Sequence, residues 1–257
     1  MAPIVFFKTH EIIIMIRGIL SLFVILLLAS CSKDSKDELG SLNILFNLKY
    51  DGSTVNSPQD WYSLSDSVDL RFSKVSFYLS DITLANDVED LVITDIIHLS
   101  YLQTILGDVI NSNQIILPFS NLPLEQYSGL RFGLGVSPSL NRTSPTDYGS
   151  GQPLSYTSEY WTPWQSYIFA KIEGEFKVNG GESESFVLHT GSDEAYRTIS
   201  IDQTLIMETD KEKNIALDID LYKILVDYPI ISQPRIHQLS QQEYVNKLSD
   251  NFANSLK

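Results

Sequence analysis

Three scarce residue types in this chain could do chemistry beyond packing. There is one cysteine, Cys31; there are four histidines, His10, His98, His189 and His237; and there are three tryptophans, Trp61, Trp161 and Trp164. His98 lies in IIHLSYL and His189 in FVLHTG, each closing an apolar, strand-like run. Two neutral imidazoles brought together from distant segments would suit a borderline or soft cation such as copper. Their separation in sequence carries no ligand spacing of its own, and a lone histidine at a sheet edge is more often a hydrogen-bonded structural residue. His237, between Pro234 and the C-terminal segment, reads as surface. Trp161 and Trp164, with Tyr167, are costly to leave in water and would wall a site or fill a core.

Enzyme signatures are missing. The sequence holds no P-loop, no G-x-S-x-G, no H-E-x-x-H and no dinucleotide fingerprint. Nothing flags a Ser-His-Asp triad, so the expected role is non-enzymatic. The acidic loop Asn86 to Asp90 lacks the alternation and glycine of an EF-hand and reads as a solvated turn. A formal charge of −14 argues against nucleic acid and against an anionic membrane surface as partners.

Residues 1–30 read as a lipoprotein signal peptide. Arg17 precedes an apolar run from Ile19 to Ala29, too short for a spanning helix of about 20 residues. Leu28-Ala29-Ser30-Cys31 has the form of a lipobox, which would make Cys31 the acylated first mature residue; Met15 offers a more natural start than Met1. Residues 31–41 read as a polar tether and residues 42–257 as the folded domain. These features place the chain as an outer-membrane lipoprotein, attached through its lipid and facing the periplasm or the cell surface.

The elements that must position the histidines are mostly strands. Leu42 to Tyr50 and Val68 to Leu84 alternate apolar with polar, the second with a phase shift near Ser73-Lys74 that predicts a bulge. Val92 to Leu99 reads as strand. Gln114 to Pro118 reads as a short strand ended by a turn at Asn121-Leu122-Pro123. Gly129 to Val136 carries Gly129, Gly133 and Gly135, positions where another segment or a ligand can come close. Ser137 to Ser158 is a long loop rich in Ser, Thr, Pro and Gly. Tyr160 to Gly191 then gives two runs joined by Asn179-Gly180-Gly181, a hairpin signal, with Lys171 interrupting the apolar pattern of the first. Strands are also expected at Tyr196 to Ile201, Thr204 to Thr209 and Asn214 to Leu221. Ser240 to Leu256 reads helical, with Ser240 and Glu243 as a capping box and Tyr244, Leu248, Phe252 and Leu256 on one face. The expected fold is all-β: an antiparallel β-sandwich with a C-terminal helix, with two smaller β domains as the runner-up.

Several stretches together resemble the MbnP family of copper-binding periplasmic proteins. They are FYLSDITL (Phe77 to Leu84), IHLS (Ile97 to Ser100), FGLGVSPSLN (Phe132 to Asn141), YWTPWQSYIFAKIEG (Tyr160 to Gly174) and FVLHTG (Phe186 to Gly191), in the family's order. The resemblance implies a β-sandwich-like domain and a mononuclear copper site held by histidines, here His98 and His189 with Trp161, Trp164 and Tyr167 as walls. For some members it also implies a diheme peroxidase partner. The chain departs from the pattern at several points. Ile96 stands where a tryptophan-derived ligand would arise. Ser137, Ser166 and Ser192 replace expected Asp, Gly and Gly, and Pro163 interrupts the tryptophan pair. The alternative is a surface lipoprotein that binds a glycan or a protein through Trp61, Tyr148, Tyr156, Tyr160, Trp161 and Trp164.

Overall fold

The computed structural model describes residues 39–57, 60–105, 108–111, 113–236 and 238–256. The leader, the tether with Cys31, and His237 lie outside the described residues. Among those described, no helix is long and apolar enough to cross a membrane.

Two sheets face each other. The smaller is built on β1 (Leu39–Tyr50), flanked by β13 (Glu212–Asp220) and β7 (Gln114–Pro123), with the short β2 (Ser53–Thr54) folded back on its end. The alternation in β1 drives its burial: Leu42, Ile44, Phe46 and Leu48 are fully buried, and the residues between them face out. The strand starts at Leu39, inside the segment read as tether, because Leu39 and Gly40 pair with Pro123 and Leu122. That pairing also carries β7 straight through Asn121-Leu122-Pro123. The left-handed Asn121 (φ 60°) marks a bulge opposite Gly40/Ser41, not a turn.

The larger sheet is organised on β4 (Val68–Ala85), long enough to change partners along its length. One edge pairs with β3 (Tyr62–Ser65) and then β5 (Leu91–Ile105); the other pairs with β10 (Ser166–Val178) and then β8 (Gln126–Leu134). The bulge falls at Ser73, where the register with β10 shifts between Glu173 and Gly174. Gly174 is needed there, since a Cβ would run into the Arg71 carbonyl and the Phe186 ring. β10 continues through the Asn179-Gly180 turn, both residues at positive φ, into β11 (Ser183–Gly191). β12 (Arg197–Ile206) closes the far edge against β8 as one strand with a bulge after Asp202.

The all-β, sandwich-like domain with a C-terminal helix is thus what forms, with one correction: its sheets are mixed. β1 and β13 run parallel, as do β11 and β14 (Arg235–Ile236). One hydrophobic core runs through both sheets, where the runner-up would have two. Three helical pieces differ from the sequence reading. The long loop contains α1 (Pro138–Asn141) and several 3-10 turns. Leu221 belongs to α2 (Leu221–Leu225), which Asp220 starts by accepting a hydrogen bond from the Tyr222 amide (3.0 Å). The C-terminal helix α3 (Gln242–Ser255) follows a 3-10 turn at Leu239–Gln241. Because the chain begins to coil there, the reciprocal cap is made by Gln238 and Gln241, not by Ser240 and Glu243. Its buried face carries Leu248 and Phe252, as expected.

Candidate functional site

The site lies on the outer face of the larger sheet. Register fixes who shares that face: His189 of β11 is opposite Lys171 of β10, Lys171 opposite Ser76 of β4, and Ser76 opposite Ser100 of β5. One row along, Glu173 faces Lys74, and His98 faces Tyr78 two residues from Ser100. Side chains alternate along a strand, so all of these project from one face, away from Leu188, Ile172 and Phe77, which fill the core.

A cap covers this face. The segment after α1 is fastened by hydroxyls standing on the sheet: Tyr78 donates to the Pro153 carbonyl (2.8 Å) and Tyr167 to the Leu154 carbonyl (3.0 Å). Lys171 Nζ donates to the Ser158 carbonyl (2.6 Å). The next residue, Glu159, turns its carboxylate down onto the sheet and is only 3% exposed. Its Oε2 lies 2.9 Å from Lys171 Nζ and 4.0 Å from His98 Nε2; its Oε1 lies 3.6 Å from Lys74 Nζ. Burial pushes the Glu159 carboxyl up, but Lys171, then His98 and Lys74, outweigh it and hold the group below its ordinary value.

The two histidines occupy different halves of this cluster. His98 is tucked under Tyr78 and Tyr156, with ring centroids 4.6 and 5.8 Å away. Burial depresses its pKa, so the ring is neutral near pH 7, and its Nε2 is buried with no hydrogen-bond partner. Beside it opens a cavity of about 530 Å³ lined by Lys74, Ser100, Tyr156, Ser158 and Glu159 on its polar side and by β5 and β7 aliphatics on the other. His189 Nε2 lies 2.8 Å from Glu173 Oε1 and donates to it, since a carboxylate only accepts; this bond holds the Glu173 carboxyl below its ordinary value. The two rings share a face, but strands β10 and β4 stand between their own. Three strand spacings of about 4.8 Å separate their Cα atoms, and Lys171 sits in the intervening row.

Among the described residues, no three His, Cys, Asp or Glu side chains are grouped to hold an ion together. The donors fit a metal unequally. His98 presents a neutral ring with a bare nitrogen, and its 4.0 Å separation from Glu159 Oε2 can be spanned by one ion bonded to each at about 2 Å. His189 has given its Nε2 to Glu173. Of the expected walls, Trp161 stacks on Trp164 (centroids 4.9 Å apart, planes 9° apart) and meets His189 edge-on at 6.2 Å. Tyr167 is fully buried beneath the cap, so it acts as a fastener. Ser192, beyond His189, adopts φ 71° and ψ 158°, a region natural to glycine, and its amide donates to Ser166 Oγ (2.9 Å).

Sequence reasoning missed Glu159, an isolated acid in a polar loop, whose single hint was its place directly before Tyr160-Trp161. It noted Lys171 only as a break in an apolar run. A charged residue at a strand position otherwise buried was the available signal for a buried partner.

The fold is thus a β-sandwich whose larger sheet carries, on its outer face, a neutral histidine, a buried carboxylate and two lysines under a tyrosine-fastened cap. The MbnP family model matches residues 39–244, most of the chain, and the chain belongs to the MbnP family. Among solved structures, MbnP from Methylosinus trichosporium aligns with 13% identity over 74% of this chain and 78% of that one, at a TM-score of 0.47. No curated protein matches the sequence.

Proposed function

We propose that this protein is a lipid-anchored, extracytoplasmic, non-enzymatic copper-handling member of the MbnP family, tethered through Cys31 to the outer membrane. Family membership supports the copper class. In this chain the carrying observation is His98, whose neutral imidazole keeps a buried Nε2 without a partner 4.0 Å from a carboxylate and beside a cavity. Imidazole is a favoured donor for copper, and an accompanying carboxylate favours Cu(II) over Cu(I). His98 is the first ligand of this reading and Glu159 the second; His189, held by Glu173, supports the cluster from the next strands.

Copper titration of the folded chain, with Cu(II) in air and Cu(I) under anaerobic conditions, tests the reading. His98→Ala should weaken binding by roughly 100-fold, the upper end of what losing even a ligand's supporting shell does. His189→Ala should cost much less. Absence of copper binding in the parent, or unchanged binding in His98→Ala, sinks it.

A second reading is favoured by one observation. Tyr156 is 43% exposed, and with Tyr148 and the hydroxyls of Ser150, Ser155, Thr157 and Ser158 it lines a cleft of about 430 Å³ in the cap. Aromatic rings among hydroxyls suit a glycan. Glycan-array binding that is lost in Tyr156→Ala and indifferent to chelator would establish that function in place of copper.

A further inference from the structure

We propose that the end of the sandwich at which β1 begins, tipped by Leu39, Val88, Leu124 and Ile206, rests on a zwitterionic lipid surface. The inference rests on the Cys31 anchor of the proposed function and names the face that this anchor holds against the bilayer.

Three observations converge. First, exposed apolar side chains gather at this end. Of the nine large ones exposed among the described residues, Leu39 (40%), Val88 (94%), Leu124 (37%) and Ile206 (52%) all stand there, and Val92 lies one residue into β5. They form one surface. Leu39 pairs with Pro123, beside Leu124; Ile206 pairs with Gln126; and Asn86, two residues before Val88, donates from Nδ2 to Glu125 Oε2 (2.8 Å). Single exposed apolar residues are ordinary, but a cluster on adjoining hairpin tips marks a contact surface.

Second, chain length restricts which end can meet the lipid. Leu39 stands eight residues after Cys31, a reach of at most roughly 29 Å even when fully extended. β1 has 12 residues, about 40 Å at the rise of a strand. Tyr50, at its far end, bonds the Ser63 carbonyl of β3, at the end of the larger sheet where Val68 meets Val178 and the Asn179-Gly180 turn follows. A domain standing on that far end would lift Leu39 beyond the reach of its tether.

Third, the charges around the tips select the lipid. Asp87 and Glu89 flank Val88 and are exposed, as is Asp210. Glu208 is already paired with Lys211 and Lys213, and Asp90 with Arg131. Acidic side chains repel an anionic surface, whereas the outward ammonium of an ethanolamine or choline headgroup can meet them while the apolar tips enter the interface. A second copy of the chain would bring the same acids face to face, which disfavours self-association through this end.

In the test, the mature chain is coupled through Cys31, its single cysteine, to a maleimide lipid in phosphatidylcholine/phosphatidylethanolamine vesicles, and its amide hydrogen exchange is compared with that of the uncoupled chain. Exchange in segments 86–90, 124–126 and 206–211 should slow by about tenfold, as for a face held down about nine-tenths of the time, and segment 179–182 should not change. Val88→Ser/Leu124→Ser/Ile206→Thr, with a thermal melt to confirm folding, should lose the protection; if it does not fold, Val88→Ser is read instead. Adding phosphatidylglycerol to the vesicles should weaken the protection, and about 1 M salt should restore it. Unchanged exchange, equal slowing at both ends, or slowing that survives the triple variant overturns the proposal. So does an uncoupled chain that sediments as a dimer which the triple variant abolishes. Mass spectrometry of the protein from cells separates this inference from the reading beneath it. An unacylated Cys31, beside protection on coupling, removes the anchor and leaves the lipid-facing surface standing. An acylated Cys31 without protection does the reverse.

Discussion

Glu159→Ala should lower the thermal midpoint of the protein by roughly 10 °C. The substitution removes the carboxylate that both Lys171 and Lys74 face and leaves the Lys171 ammonium inside the cap on the Ser158 carbonyl. Breaking a buried ion pair from one side costs about 3–5 kcal/mol, because the surviving charge stays desolvated. In a domain of this size each kcal/mol shifts the midpoint by about 2–4 °C. Replacing both partners, as in Glu159→Ala/Lys171→Met, should recover much of the loss, and this double-mutant comparison separates the ion pair from side-chain packing. Limited proteolysis supplies a local readout: the segment from Tyr148 to Ser158 should be cut faster in the single variant. A melt within 2 °C of the parent, or unchanged cutting, would show that the cap is held by its tyrosines alone. The same pair sets a pH dependence. The Glu159 carboxyl titrates below its ordinary value of 4.5 in the folded chain, so its contribution is complete above that pH and is lost as the pH falls through the lowered value. Glu159→Gln should flatten the acid limb of the stability curve.

The second large effect lies on the core face of the same strand, β4. Phe252→Ala should cost about 3–5 kcal/mol in urea unfolding, the usual range for emptying a phenylalanine site in a packed core. Phe252 is 1% exposed and meets the Phe77 ring edge-on at 5.0 Å; Phe77 in turn stacks on Tyr101 at 6.1 Å. This contact seats α3 on the back of the strand that carries Tyr78, and Asn251 adds a hydrogen bond from its Nδ2 to the Ile224 carbonyl (2.9 Å). Because the partners belong to β4 and β5, the transition should stay cooperative and shift as a whole. A separate early loss of helix signal, with the sheet transition unmoved, would show that α3 is an appendage.

Alternation and turn chemistry made most strands legible. The phase shift at Ser73-Lys74 became a bulge, Asn179-Gly180 became the hairpin turn, and the glycines of Gly129 to Val136 became points of close approach, Gly133 under the Tyr196 ring. What stayed hidden depended on pairing between distant segments. The start of β1 at Leu39 and the run of β7 through Pro123 each make sense only when the other is present. The parallel pairing of β1 with β13 leaves no mark on either strand's pattern, since both read as half-buried in any orientation. The same limit governed the site. His98 and His189 could be placed on strands, but only His189 stands near a strand end, His98 lying in the middle of β5, and their order across a sheet could not be read. A lone glutamate in a loop shows nothing of the sheet face beneath it.

Ser192 has a practical consequence. Its backbone sits where a side chain is unwelcome, at the position where the family resemblance expects glycine. Such a conformation costs on the order of 1–3 kcal/mol, while the added freedom of glycine in the unfolded chain returns about 0.4–1 kcal/mol of that. Ser192→Gly should therefore raise the melting point, read by calorimetry, and a fall would show that the serine hydroxyl anchors the turn. A background hardened in this way would give experimenters a reserve of robustness to draw on. Cluster variants too fragile to purify in the parent chain could then be handled, crystallised and titrated.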